Sequence, residues 1–92
     1  MRETMTEYVF TFSSTQHSIA AEQALCGASI PVKVMPLPPQ IKAGCGLCLR
    51  LSGEVFAQAA EILAQHKIAF SGIFTRREEE GRSAYEPYVT GD

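Results

Sequence analysis

The sequence predicts an α+β fold with the element order βαββαβ. Two similar strand–helix–strand halves follow one another along the chain. Both predicted helices are rich in alanine, whereas the predicted strands carry aromatic residues and leucine that can supply the missing bulk. A length of 92 residues suffices for one small domain with one core. The order is that of a ferredoxin-like sandwich, in which a four-stranded antiparallel sheet carries two helices on one face.

The first half of the chain is predicted to form a strand, a helix and a second strand. Strand one takes the β-branched and aromatic run Tyr8–Phe12. Helix one covers Thr15–Cys26, where an alanine-rich segment follows a predicted cap. Ser13 and Gln16 have the spacing of a capping box at its start, and Ser14 or Thr15 can serve as the cap instead. Strand two covers Val32–Met35.

The second half repeats this order. Gly46–Leu51 is predicted as strand three, with its leucines on one face and with Cys48 and Arg50 on the other. Glu54–Lys67 is predicted as helix two, because apolar residues recur there at helical spacing. Ile68–Thr75 follows as strand four.

Two regions lie outside the predicted core. Residues 1–75 form the predicted ferredoxin-like domain, and residues 76–92 form a charged C-terminal tail, which is either flexible or folded back on the domain. The sheet face away from the helices is predicted to carry a mixed set of side chains, namely Val9, Thr11, Met35, Cys48, Arg50 and Ile73. This face can stay wet, receive the tail or form a homodimer.

Composition excludes several classes of protein. A net charge of −2 argues against nucleic-acid binding, and no apolar run is long enough to span a membrane. The N-terminus lacks the apolar segment of a signal peptide, so we expect a cytoplasmic protein whose three cysteines stay reduced. Because no paired carboxylates, Ser-His-Asp set, GxGxxG or P-loop occurs, nothing supports a hydrolase, a Rossmann enzyme or an NTPase.

The segment PLPPQIKAGCGLC, residues 36–48, is the strongest candidate for chemistry. Its three prolines predict a stiff, irregular connection before strand three. Gly44 and Gly46 flank Cys45, which allows a sharp turn and leaves the sulfur accessible. An accessible thiol in an anion-friendly setting is what a persulfide or selenide carrier needs, so Cys45 is the predicted chalcogen-bearing residue.

The predicted topology places this loop at the sheet edge where helix one begins. Cys45 is therefore expected near Ser14 and Thr15, where free backbone amides favour an anion and lower a thiol pKa. His17, in the first turn of helix one, and His66, in the last turn of helix two, are expected at the same edge.

The other cysteines leave alternatives open. Cys48 completes a C-x-x-C spacing with Cys45 and is either a resolving thiol or a packing residue on the sheet. Cys26 is expected in the core, as a small apolar residue. A zinc site formed by both members of the C-x-x-C pair with His17 and His66 is a weaker alternative, because the histidines are scattered over two helices; we expect no metal.

Two basic residues flank the thiol region. Lys42 and Arg50 can assist an anionic sulfur or bind an anionic partner. Solvation, or pairing with Glu7 or Glu54, explains them more simply.

The chain resembles the selenium/sulfur carrier protein-like family of small bacterial domains. The resemblance rests on a strand that ends in F-S-S-T, a Pro-containing loop and the run I-K-A-G-C-G-L-C-L-R, and its residues are Phe12, Ser14, Thr15, Pro36, Pro38, Cys45, Gly46 and Arg50. It covers about the first three quarters of the chain. Cys48 and the charged tail depart from the family's usual form.

The resemblance implies a cytosolic carrier that is not an enzyme and needs no cofactor. Cys45 would hold a persulfide or selenide, with Ser14, Thr15, Gly44, Gly46 and Arg50 as the binding residues around it. A cysteine desulfurase-type donor would load the thiol, and an acceptor enzyme would take the chalcogen. The alternatives are a thiol-redox protein that uses Cys45 and Cys48, and a non-catalytic dimeric binding module.

Overall fold

A computed structural model describes residues 6–41 and 45–90 of the chain. Its elements, in chain order, are β1 (Glu7–Thr11), α1 (Thr15–Gly27), β2 (Lys33–Pro36), β3 (Leu47–Ser52), a 3-10 turn (Gly53–Val55), α2 (Phe56–Gln65), β4 (Gly72–Glu79) and β5 (Arg82–Thr90). The predicted α+β class, with two helices and an antiparallel sheet, is confirmed. No helix in the described ranges has both the length and the apolar character to cross a membrane.

The sheet has five strands in the order β2-β3-β1-β4-β5, and every neighbouring pair is antiparallel. The predicted four-stranded, ferredoxin-like sheet is therefore not matched exactly, because β5 adds a strand beside β4. Glu80 and Gly81 join these two strands with φ angles of 54° and 78°. Two consecutive positive φ angles give the tight hairpin turn whose twist suits antiparallel strands. Residues 76–90 thus belong to β4, this turn and β5.

Both helices pack on one face of the sheet. Alanines of the helices, Ala21 and Ala59, meet the fully buried rings of Phe10 and Phe12 from β1 and the residue after it. The predicted pairing of small helix residues with large strand residues is confirmed, since close packing needs one partner to supply the volume that the other lacks. Leu25, Ile30, Leu49, Leu51, Leu63 and Ile73 complete this cluster.

The opposite face of the sheet carries a second, smaller cluster built on Val9, Ile41 and Cys48. Met35, Leu37, Phe74 and Tyr85 pack against it. The proline segment after β2 therefore covers part of this face, and Tyr85 of β5 packs against the same cluster. Ile73 was wrongly predicted here: it pairs with Phe10 in the sheet and joins the helix-side cluster, because a one-residue change of alternation moves a side chain to the other face.

Each helix is followed, two residues after its last residue, by a residue in the left-handed conformation. Ser29 has φ 64° and Lys67 has φ 56°. The amide of Ile30 donates to the Leu25 carbonyl at 2.9 Å, and the amide of Ile68 donates to the Leu63 carbonyl at 3.0 Å. This arrangement closes the last turn of a helix and turns the chain back toward the sheet.

Candidate functional site

Cys45 lies where the proline segment returns to the sheet, two residues before β3 begins. Its side chain is half-buried and packs against the helix-side cluster. The side chains of Thr15 and Ser18, both in the first turns of α1, are among the groups that lower the pKa of its thiol. As a thiol, Cys45 donates to the Leu47 carbonyl oxygen at an Sγ–O distance of 3.9 Å. The effect of Thr15 on this thiol agrees with the expected position of Cys45 beside the start of the first helix.

Local sequence fixes this geometry on both sides of the sulfur. Ser14 is the N-cap of α1, with an extended backbone (φ −141°, ψ 149°), and its hydroxyl oxygen accepts from the His17 amide at 3.1 Å. Gly46 has φ 99°, a conformation that favours glycine. Its carbonyl oxygen accepts from the Leu37 amide at 2.9 Å, which ties the cysteine turn to the residue after β2.

The surroundings of Cys45 favour its ionised form. Burial acts in the opposite direction, but hydrogen bonding at the Leu47 backbone, at the hydroxyls of Thr15 and Ser18 and at its own backbone outweighs it, so the pKa of the Cys45 thiol lies below its ordinary value. Donors aimed at sulfur stabilise the thiolate more than the thiol. The site can therefore hold negative charge on sulfur.

Cys48 lies on the other face of the sheet, in the cluster with Val9 and Ile41, and is fully buried. Burial raises the pKa of the Cys48 thiol to about 11. Its sulfur donates to the Pro36 carbonyl oxygen at 3.7 Å. Cys45 and Cys48 are both free thiols, and the clusters that they join lie on opposite faces.

Cys26 is exposed, so its predicted place in the core was wrong. Its sulfur donates to the Glu22 carboxylate at 3.4 Å, one helical turn earlier in α1. This hydrogen bond, followed by partial desolvation and the negative charge of Glu22, raises the pKa of the Cys26 thiol. The helix presents this position to solvent, where the neighbouring carboxylate suppresses the thiolate.

Of the other residues that were expected near Cys45, Arg50 lies elsewhere in the structure. Arg50 pairs with Val9 in the sheet and so lies on the face away from the helices, where its Nε is 3.6 Å from the Glu7 carboxylate. The same Glu7 oxygen accepts from Arg76 at 2.7 Å. The simpler expectation, pairing of Arg50 with Glu7, is confirmed. Lys42 and Gly44 lie outside the described residues.

The histidines do not converge on Cys45 as expected. His17 follows the cap of α1, whereas His66 shares a surface depression with residues from the other end of that helix, Gln23, Ala24, Gly27 and Ala28. Within residues 6–41 and 45–90, no group of three or more His, Cys, Asp or Glu side chains is arranged to hold a metal ion.

Ser18 is the residue of this site that sequence analysis missed. It is buried in α1, and it lies one turn after Thr15, so both hydroxyls face the same side of the helix. The signal available in the sequence was a hydroxyl residue at helical spacing from the cap, inside an otherwise alanine-rich segment.

These features define a small α+β domain that holds a half-buried thiol of lowered pKa against hydroxyl groups at the start of a helix. The chain belongs to the family described as "Putative Se/S carrier protein-like", whose profile matches residues 7–75. The family inferred from the cysteine segment is thereby confirmed.

One curated relative is the "Uncharacterized protein YtiA" of Escherichia coli (strain K12), which is 38% identical over 48 residues. These residues are 52% of this chain and 56% of the relative, so the match spans about half the length of each protein. No solved structure matches the chain significantly.

Proposed function

We propose that this protein carries sulfur or selenium on Cys45 and passes it to an acceptor. One observation carries the proposal: Cys45 is the cysteine, of three, whose pKa lies below its ordinary value, while the pKa values of Cys26 and Cys48 are raised. A carrier thiol must ionise to attack and must leave as a thiolate when its cargo departs. The description of the family supports the same function.

Loading is a transfer between two sulfur atoms. The Cys45 thiolate attacks the terminal sulfur of a donor persulfide, a new S–S bond forms, and the donor cysteine leaves as a thiolate. With a donor that bears a terminal selenium, the same attack forms an S–Se bond. No electrons are gained or lost overall, and no cofactor of the carrier is needed.

Delivery reverses the roles. A nucleophile of the acceptor, such as a thiolate, attacks the terminal atom of the Cys45 persulfide or selenide, and Cys45 leaves as a thiolate. The donors around the sulfur lower the basicity of this leaving group, which makes departure easier. The side chains of Thr15 and Ser18, which lower the pKa of Cys45, favour the thiolate that leaves.

A cytoplasmic cysteine desulfurase-type donor and an acceptor enzyme are the partners that this chemistry requires. The desulfurase supplies the terminal sulfur or selenium, and the acceptor consumes it. The protein itself makes and breaks bonds only at one thiol, so we propose a carrier and not an enzyme. Ser14 contributes by capping the helix, and Gly46 by allowing the turn.

A thiol-redox function with Cys48 as the resolving thiol is less well supported. Attack by Cys48 requires a thiolate at a fully buried site whose pKa is raised to about 11. It also requires the two sulfurs, now packed on opposite faces of the sheet, to come together.

The test is transfer of labelled sulfur from cysteine through a cysteine desulfurase. Wild-type protein is expected to gain one sulfur mass that reductant removes and that maps to the Cys45 peptide. Cys45→Ser should lose the label, whereas Cys26→Ser, the matched change at an exposed cysteine, should keep it. Supplying selenium in place of sulfur would show which element the thiol accepts.

Label retained by Cys45→Ser would overturn the proposal, because the sulfur would then reside elsewhere. A loss of two hydrogens on mild oxidation, abolished in Cys48→Ala, would support the redox function instead. Partner binding that survives alkylation of Cys45 would support a non-catalytic, dimeric binding module.

A further inference from the structure

The two edge strands of the sheet differ in how open their outer backbone is. β2 forms one edge; it is four residues long and ends at Pro36, which has no backbone N–H. β5 forms the other edge over nine residues, of which residues 82–86 contain no proline. Within residues 6–41 and 45–90, no strand pairs with the outer side of β5. Short strands and prolines commonly protect sheet edges, and residues 82–86, called here the β5 edge, lack that protection.

The hairpin register decides which backbone groups of the β5 edge face outward. Arg82 closes the two-residue turn after β4, so its backbone bonds to β4. Hydrogen-bonded and non-hydrogen-bonded pairs alternate along an antiparallel ladder, so Ala84 and Glu86 share this inward orientation. The amides and carbonyls of Ser83 and Tyr85, which lie between them, therefore point away from the sheet.

The other ladders of the sheet agree with this orientation. The Gly53 amide donates to the Thr6 carbonyl at 3.0 Å, so Thr6 bonds toward β3 and the next residue, Glu7, bonds toward β4. Glu7 pairs with Arg76, whose backbone therefore faces β1, and the next residue, Arg77, faces β5. The turn and the centre of the sheet thus give β5 the same alternation.

Pro87 limits where a further strand can pair. It follows Tyr85 by two residues, on the outward side, and has no N–H to donate. A strand beside β5 can therefore exchange full pairs of backbone hydrogen bonds at Ser83 and Tyr85 but not at Pro87. A second copy of β5, antiparallel about a two-fold axis at Ala84, pairs Ser83 of each chain with Tyr85 of the other and uses both outward amides.

The charges of the β5 edge fit the same register. Arg82 of each chain lies opposite Glu86 of the other, and cross-strand pairs of opposite charge stabilise a sheet. Both side chains are exposed, and neither forms a salt bridge with a residue that the structure describes. A shift by one pair would place Ser83 opposite Pro87, which loses backbone bonds, and would separate Arg82 from Glu86.

We propose that this protein forms a two-fold dimer through the β5 edge, with Ser83 of each chain paired with Tyr85 of the other. The five strands of each chain then form one continuous sheet. Backbone bonds and exposed ion pairs dominate the contact, so the dimer is weak and reversible. Cys45 lies just before β3, and β1 and β4 separate β3 from β5, so the contact does not use the thiol and does not rest on the proposed function.

The first test is sedimentation equilibrium from about 10 μM to 1 mM, the range in which weak complexes form. The mean mass is expected to rise from one chain toward two. Ser83→Pro removes an outward amide and should abolish this rise. Ser83→Ala is the matched control, because it removes only the hydroxyl that accepts from Arg76 at 2.9 Å and keeps the amide. Ser83→Ala should associate as the wild type does.

The second test reverses the charges. Arg82→Glu and Glu86→Arg each put like charges opposite one another at both symmetry-related positions, and each variant by itself should associate about tenfold more weakly. Mixing the two variants restores opposite charges at both positions, so the mixture should form a heterodimer. A variant that is merely destabilised would not recover association in this way.

A single-chain mass over the whole concentration range would overturn the proposal and leave the β5 edge to a strand of another protein. A dimer that survives Ser83→Pro and both charge reversals forms through another surface, which also overturns it. Absence of recovery in the mixture would contradict the register. None of these readouts depends on sulfur loading, so a failed carrier function and a failed dimer are told apart.

Discussion

The three cysteines show how strongly the setting of one atom decides its chemistry. Cys26 is the exposed thiol, yet a carboxylate beside it raises its pKa. Cys48 is buried and ionises only at high pH. Cys45 is intermediate in exposure and is surrounded by donors that lower its pKa. Exposure by itself would single out Cys26, whereas exposure and donors together single out Cys45.

Cys48 predicts a pH dependence of stability. Its pKa in the folded protein is about 11, against 9.0 for an ordinary cysteine. Below about pH 8 both folded and unfolded chains keep the thiol protonated, and its contribution is fully present. As the pH rises toward about 11, the unfolded chain ionises first, so the free energy of unfolding should fall by about 2 kcal/mol.

Urea unfolding across this pH range, for the wild type and Cys48→Ala, isolates the effect. Tyrosines and lysines also titrate there, but they contribute alike to both proteins. The stability difference between wild type and variant should therefore shrink as the pH rises. A difference that stays constant would contradict burial of Cys48.

At the residue scale, Cys45 was expected beside the start of the first helix because the topology brings the proline loop to that edge of the sheet, whereas Arg50, expected near the thiol, lies on the other face. The sequence did not predict the burial of Ser18, because the rotation of a helix about its axis decides which hydroxyl side chain faces the interior. Cys26 was misplaced for the same reason. An alanine-rich helix has small residues on every side, so its apolar pattern does not identify the buried face.

At the scale of elements, the ends of the first helix and of the first three strands were predicted to within one residue. The first helix was expected over Thr15–Cys26 and is found over Thr15–Gly27, with Ser14 as its cap. Strand four was expected over Ile68–Thr75, but β4 begins at Gly72. The apolar residues before β4 return from the helix to the sheet, and Ile68 and Phe70 pack on the core without joining a ladder.

β5 was missed because its hairpin turn lies within the charged run of residues 76–82. The signal was Glu80-Gly81, a two-residue turn of the kind that favours positive φ angles. Pro87, opposite Phe74 near an irregular register, also suggested no strand. An edge strand tolerates proline, since one side of its backbone makes no ladder bonds.

The end of α2 gives a prediction at this scale. Lys67 holds φ 56°, a conformation that is unfavourable for a residue with a Cβ atom. Lys67→Gly should remove this strain and raise the free energy of unfolding by about 0.5–1 kcal/mol, which urea unfolding can measure. Gln65→Gly, two residues earlier and within the helix, should lower it by about 1 kcal/mol. Equal effects of the two changes would show that Lys67 is not in this conformation.

At the scale of the whole molecule, the sheet is covered on both faces. The helices pack on one face, and the proline segment with Tyr85 packs on the other. Val9 and Cys48, at the centre of that second face, are already fully buried within one chain. A homodimer through this face stays a prediction, and a second copy would have to contact its rim.

The fifth strand contributes an aromatic ring to each face of the sheet, although the predicted domain boundary after residue 75 excludes this strand. Tyr88 meets Tyr8 and Phe56 edge to face, with ring centroids 5.3 and 5.5 Å apart, while Tyr85 packs on the opposite cluster. A chain shortened after Glu79 loses both rings and the whole β4–β5 ladder.

We expect this shortened chain to lose about 3 kcal/mol or more of unfolding free energy, a large share of what a small domain has. Urea unfolding followed by circular dichroism measures the loss, and Tyr88→Phe, which keeps the ring, should change it little. An unchanged urea midpoint would mean that β5 does not stabilise the domain and that the predicted boundary after residue 75 is correct. With the expected loss, the stability of the domain that contains Cys45 depends on a strand that the family match over residues 7–75 does not include, because β5 forms one edge of the sheet.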